Sequence, residues 1–105
     1  MDLYSALADP TRRSILELLA ARGQMSASDI YARFPSTPPA ISQHLKILQQ
    51  VNLVKVERQA QKRLYSVNVE TLREVEGWIQ QINRLWAERF DRLDQLLKEE
   101  RSKGL

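Results

Sequence analysis

The sequence has no cysteine, one histidine and only three glycines among its 105 residues. The missing cysteines exclude disulfides and thiolate metal sites, which fits a reducing interior. A lone imidazole, His44, falls short of a dedicated zinc site, which takes about four protein ligands, or three and a water. The dispersed glycines Gly23, Gly77 and Gly104 form no phosphate-cradling loop. No stretch approaches the roughly 20 apolar residues of a membrane span, and the first residues lack the basic segment and apolar run of a secretion signal. Ser5, Ser14 and Ser42 have no visible base partner. The expectation is a cytoplasmic protein that is not an enzyme, with no metal, no cofactor and no membrane partner.

What is present suits one soluble domain: 43% hydrophobic and 28% charged residues. The net charge of +3 is unevenly spread. Residues 1–69 hold nine Lys/Arg against five Asp/Glu, and residues 70–105 hold seven against eight. The basic excess therefore lies in the first two-thirds, a mild sign of a nucleic-acid partner, since phosphate binding needs a basic face.

Leu3, Tyr4 and Leu7 form a short helical stripe that stops at Asp9-Pro10, a good N-cap and first helical residue. Ile15, Leu16, Leu18 and Leu19 continue at helical spacing until Gly23 supplies a stop. Ser26-Ala27-Ser28-Asp29 resembles a capping box and opens a helix through Phe34, which Pro35-Ser36 breaks. Thr37 caps the next helix, with Pro38 and Pro39 in its first turn. Ile41, Leu45 and Leu48 give it one apolar face, and it ends near Gln50. Val54 and Val56 alternate with Lys55 and Glu57, and Leu64, Tyr65 and Val67 are strand formers. The polar run 58–63 between them predicts a hairpin whose turn lacks the usual Gly or Asn, which leaves its register open. From Asn68, a candidate N-cap, one long helix runs to about Arg101, with Gly77 a place for a bend. Its apolar positions Leu72, Val75, Ile79, Ile82, Trp86, Leu93 and Leu96 follow 3-4 spacing, interrupted by Arg89. Trp78, Leu85, Phe90 and Leu97 add a second stripe, so a partner helix is expected.

Two short helices joined by a Pro/Ser turn and followed by a basic hairpin make the winged helix-turn-helix arrangement. The expected fold class is mainly α with a small β-hairpin, in the order α-α-α-α-β-β-α, acting as a dimer. With Ile41, Leu45 and Leu48 inward, Pro39, Ser42, Gln43 and Lys46 point outward, with Ala40 and His44 on a flank. Small residues allow close approach, Ser and Gln can bond base edges, and Lys suits phosphate or guanine. Thr37 can present its hydroxyl at the helix start. DNA contacts are thus expected from Thr37, Pro39, Ala40, Ser42, Gln43, His44 and Lys46. Arg58, Lys62 and Arg63 would serve as wing contacts to the backbone, beside Lys55. Arg12 and Arg13 open a helix where positive charge is unfavourable, which predicts a phosphate or an acidic neighbour across a dimer as partner. The carboxylates of the last helix, mixed with Lys and Arg, read as a salt-bridged surface.

Residues 6–19, Ala-Leu-Ala-Asp-Pro-Thr-Arg-Arg-Ser-Ile-Leu-Glu-Leu-Leu, resemble the opening motif of ArsR-type (ArsR/SmtB) transcriptional regulators. Residues 41–48 resemble their recognition helix and residues 64–67 the second strand of their wing. The resemblance covers nearly the whole chain. It implies a dimeric winged-helix repressor whose first and last helices form the dimer interface, here through Leu3, Tyr4, Leu7, Ile79, Ile82, Trp86, Phe90 and Leu93. Metal-sensing members carry cysteines before the recognition helix, or His/Asp pairs on the last helix. Residues 25–34 here have no cysteine and the last helix no histidine, so metal sensing is not carried over. Residues 86–97 are similar to a metal-independent branch. Pro38-Pro39 stands where relatives more often show polar residues.

The expected layout is one domain over residues 1–101. It comprises dimerisation helices at 1–22 and 69–101, the helix-turn-helix at 26–50, a wing at 53–68, and a frayed tail at 102–105. The expected partners are double-stranded operator DNA and a second copy, with a small-molecule or protein effector left open. The alternative is a protein-interaction module using the long last helix, with the winged helix as scaffold.

Overall fold

Caps decide where the helices of this chain begin. The computed structural model describes residues 1–104; Leu105, the end of the expected tail, lies outside them. Asp2 starts α1 (Leu3–Leu7) by accepting from the Ser5 N–H at 2.7 Å. Asp9 starts α2 (Pro10–Arg22) by accepting from the Arg12 N–H at 2.9 Å, and Pro10 loses nothing in a first turn where N–H groups have no helical partner. Gly23, at φ 88°, ends α2 and donates to the Leu19 carbonyl. Thr37 starts α4 (Pro38–Gln50) in the same way as Asp9 starts α2, its hydroxyl accepting from the Ala40 N–H.

Ser26 caps α3 (Ala27–Tyr31), which is shorter than predicted. Turns through Arg33 and Phe34 replace its expected last residues, their N–H groups bonding to the Ile30 and Tyr31 carbonyls. Just before it lies a strand the sequence did not suggest, β1 (Met25–Ser26). Two residues are too few to show an alternation.

The hairpin strands are β2 (Val54–Gln59) and β3 (Lys62–Val67), in the antiparallel order β1-β3-β2. Pairing runs from Val54↔Val67 to Gln59↔Lys62. The expected polar loop is therefore mostly strand, and only Ala60 and Gln61 turn. The register left open by the sequence is set by Ala60, whose φ of 56° is left-handed. At the other end of the hairpin, Asn52 also takes positive φ, 62°, and closes α4. Leu53 N–H donates to Leu48 O and Asn52 N–H to Gln49 O, a Schellman-type ending that turns the chain into β2.

The core gathers Ile15, Leu19, Ile30, Ile41, Leu45, Leu48 and Leu53, all fully buried, with Met25, Val54 and Tyr65 beside them. Each such side chain contributes roughly 1.5–3 kcal/mol by leaving water.

The last helix, α5 (Val69–Lys103), is continuous past Gly77 and runs beyond the predicted end at Arg101. Arg101 and Lys103 suit its negative C-terminal end. Its start departs from the expected cap. The Asn68 carbonyl accepts from Leu72 N–H, but the buried side-chain Oδ1 has no hydrogen-bond partner. The chain forms two compact units, Met1–Leu72 and the helical remainder from Arg73. Beyond Leu72 every described residue except half-buried Val75 is exposed.

Ala60→Gly removes left-handed strain and should raise stability by roughly 1 kcal/mol, seen as a higher urea midpoint at unchanged slope. Asp9→Ala should cost about 1 kcal/mol at neutral pH. The Arg12 N–H holds the Asp9 carboxyl below its ordinary value. Its stabilisation is thus present above the unfolded carboxylate pKa and lost as pH falls through the lower folded one. The gap between wild type and Asp9→Ala should close in urea titrations taken into that acid range.

Candidate nucleic-acid interface

The apolar period of α4 builds this surface from behind. Ile41, Leu45 and Leu48 are at most 1% exposed, and the opposite face carries exposed Pro39, Ala40, Ser42, Gln43 and Lys46. Thr37 is exposed at the start of the helix. The expected reading residues, apart from His44, thus share one solvent-facing side. Pro38 and Pro39 occupy the first turn without breaking it, because the cap bond comes from Ala40.

His44 is placed differently. It is half-buried at the flank, with Nδ1 3.3 Å from Arg12 Nη1 and 3.9 Å from Asp9 Oδ2. Arg12 is only 7% exposed. Its Nε donates to Ala6 O at 2.7 Å and its Nη2 to Ser5 O at 3.4 Å. Arg13 Nη1 donates to Leu7 O and Ala8 O, at 2.8 and 2.9 Å. Neither arginine awaits the phosphate or the acidic neighbour that the sequence suggested. Both meet the carbonyls that end α1, where positive charge is favoured. A five-residue helix at i−6 from an arginine is the signal that could have revealed this.

The wing cations fall on two faces. Alternation puts Arg58 and Arg63 on the side of Val56 and Tyr65, and Lys55 and Lys62 on the other. Arg58 and Arg63 pair directly across the strands and line one shallow hollow with Gln49, near the end of α4, and Val56. Like charges opposite one another destabilise a ladder, and an anion seated between them would relieve the repulsion. Gln24 Nε2 donates to Glu57 Oε2 at 3.3 Å, linking the wing to the segment before β1.

On α5 the expected dimerisation residues Ile79, Ile82, Trp86, Phe90 and Leu93 are between 46% and 59% exposed. Trp86 and Phe90 meet edge to face at 5.3 Å, and the Arg89 guanidinium lies 6.0 Å from the Trp86 ring centre. On α1, Tyr4 is 44% exposed, whereas Leu3 and Leu7 pack partly against the core. Among the described residues no group of three His, Cys, Asp or Glu could hold a metal ion. No helix among them is long and apolar enough to cross a membrane.

Comparison with known proteins agrees with this geometry. A sequence family described as a helix-turn-helix domain matches residues 7–57. The transcriptional repressor SdpR of Bacillus subtilis is 40% identical over 78 residues, which are 74% of this chain and 86% of the repressor. A helix-turn-helix-type transcriptional regulator of Mycobacterium tuberculosis is 32% identical over 97 residues, 92% of this chain and 87% of that one. The solved structure of an ArsR-like transcriptional regulator from Rhodococcus sp. RHA1 superposes with a TM-score of 0.78 at 30% identity, covering 90% of this chain and 88% of that one. With the winged helix-turn-helix and its exposed α4 face, these likenesses show that the chain belongs to the ArsR family of DNA-binding transcriptional regulators.

Proposed function

We propose that the chain is a homodimeric repressor that occupies its own or a neighbouring promoter without a cysteine-based metal sensor. The observation that carries this reading is the solvent-facing row of Ser42, Gln43 and Lys46 over the buried row of Ile41, Leu45 and Leu48. Thr37, Pro39 and Ala40 extend the row toward the helix start, with His44 at its flank. Ser42 and Gln43 carry the groups that bond base edges in a major groove, and Lys46 suits guanine or phosphate. Arg58 and Arg63 present paired guanidinium groups to one phosphate path, and Lys62 adds charge from the other strand face.

The half-exposed apolar stripe of α5 supports pairing with a second copy, together with Tyr4 of α1. Two such chains would bring two α4 helices to successive major grooves, about 34 Å apart, on a roughly palindromic site. An effector, whether small molecule or protein, would act by changing that spacing.

A duplex selected by the protein from a random pool serves as the operator for tests. Lys62→Ala should weaken binding to operator and random DNA alike and flatten the slope of log affinity against log salt by about one. Gln43→Ala should relax preference at one base position, at a cost of about 1–3 kcal/mol on the operator only. Equal losses on operator and random DNA for Gln43→Ala would remove its assigned role. Ile82→Glu should convert the dimer to monomer in sedimentation and abolish operator binding. A wild-type chain that sediments as a monomer while binding its operator would end the dimer reading.

A further inference from the structure

His44 lies on the reading helix, yet its ring engages α2. Nδ1 is 3.3 Å from Arg12 Nη1 and 3.9 Å from Asp9 Oδ2. A guanidinium only donates and does not give up its proton, so the nitrogen that receives it is bare. The neutral ring then carries its one proton on Nε2. Arg12 cannot follow a moving ring, because Ala6 O and Ser5 O already hold its Nε and Nη2. Asp9 is equally fixed, since it caps α2 through the Arg12 N–H.

We propose that His44 is a positioning residue for DNA recognition. Its neutral ring, accepting from Arg12, holds α4 at one roll angle against the corner of α1 and α2, and its protonation releases that hold. The inference rests on the assignment of α4 as the DNA-reading helix.

The charged groups that face the ring are Asp9 and Arg12, both from the start of α2. The segment leading into α1 adds the uncharged Met1 Sδ, 3.6 Å from Arg12 Nη2, while the chain-terminal amine acts on Asp2. When the ring takes a second proton, on Nδ1, that nitrogen becomes a donor and can no longer accept from Arg12. Two cations then face each other, and Asp9 Oδ2 is the acceptor within reach. The ring exchanges one α2 partner for the other, and Gln43, its neighbour on the helix, moves with it. Specific recognition should fall. Attraction to phosphate in general should not fall, because the surface has gained a positive charge. The quantity to follow is therefore the ratio of operator to random-DNA affinity.

The single histidine makes the tautomer directly readable, without assignment, in long-range 1H–15N spectra of the imidazole. At about pH 8 the Nε2-protonated tautomer is expected. Between about pH 8 and about pH 5.5 the wild-type affinity ratio should fall by about tenfold. His44→Asn supplies an acceptor oxygen near the Nδ1 position and does not titrate, so its ratio should stay high and flat. His44→Ala should show the low ratio at both ends of the range. An Nδ1-protonated tautomer at pH 8 would overturn the proposal. So would a wild-type pH profile parallel to that of His44→Asn, or a His44→Ala ratio equal to wild type. A His44→Asn change confined to one operator base would make the residue a base reader and equally end the idea. If the wild-type protein selects no duplex at all, the DNA-reading assignment fails, and the tautomer still decides whether Arg12 holds the ring.

Discussion

A guanidinium out of water is costly unless its donors find acceptors. Arg12 solves this with main-chain oxygens and an imidazole. Its Nε and Nη2 take the Ala6 and Ser5 carbonyls, and its Nη1 approaches His44. The carbonyls that end a helix lack partners of their own, so the arrangement satisfies both sides at once. A helix of five residues has no stability alone. Helix α1 is held because Arg12 and Arg13 bind its last carbonyls from α2. The same side chain reaches α4, so three helices are oriented around one buried charge.

The exposed face of α4 is a by-product of burial. The 3.6-residue period that puts Ile41, Leu45 and Leu48 inside leaves Ser42, Gln43 and Lys46 outside, and no separate device is needed to display them. The wing follows a comparable logic in the period of two. Val54 and Val56 bind the strand to the body, and Arg58 continues the same face beyond the core, where it meets Arg63. Apolar residues thereby decide where each cation stands.

The two longer helices of the body were legible because their ends are marked. Asp9-Pro10, Gly23 and Thr37-Pro38 are local signals, and the structure uses each of them as read. The outward face of α4 was legible for the same reason. Features set by distant partners were not. The contact between Arg12 and His44 joins residues 32 apart, so nothing in either neighbourhood announces it. Strand β1 exists only because Tyr65 and Leu64 pair with Met25 and Ser26. The hairpin register depends on Ala60 adopting a conformation that its residue type disfavours. Gly77 suggested a bend, but a glycine lowers helix propensity only by about 1 kcal/mol, too little to break a helix of this length.

That unbroken helix has one more property. From Ile79 to Leu96 its main apolar stripe, counting Arg89, advances in steps of three and four that sum to seven. An α-helix turns slightly less than two full turns in seven residues, so the stripe slips by roughly 20° each time. Between Ile79 and Leu96 this amounts to about 50°. The apolar surface is consequently a shallow left-handed spiral. A flat or straight surface would touch only part of it, whereas a helix that winds around α5 would follow it throughout.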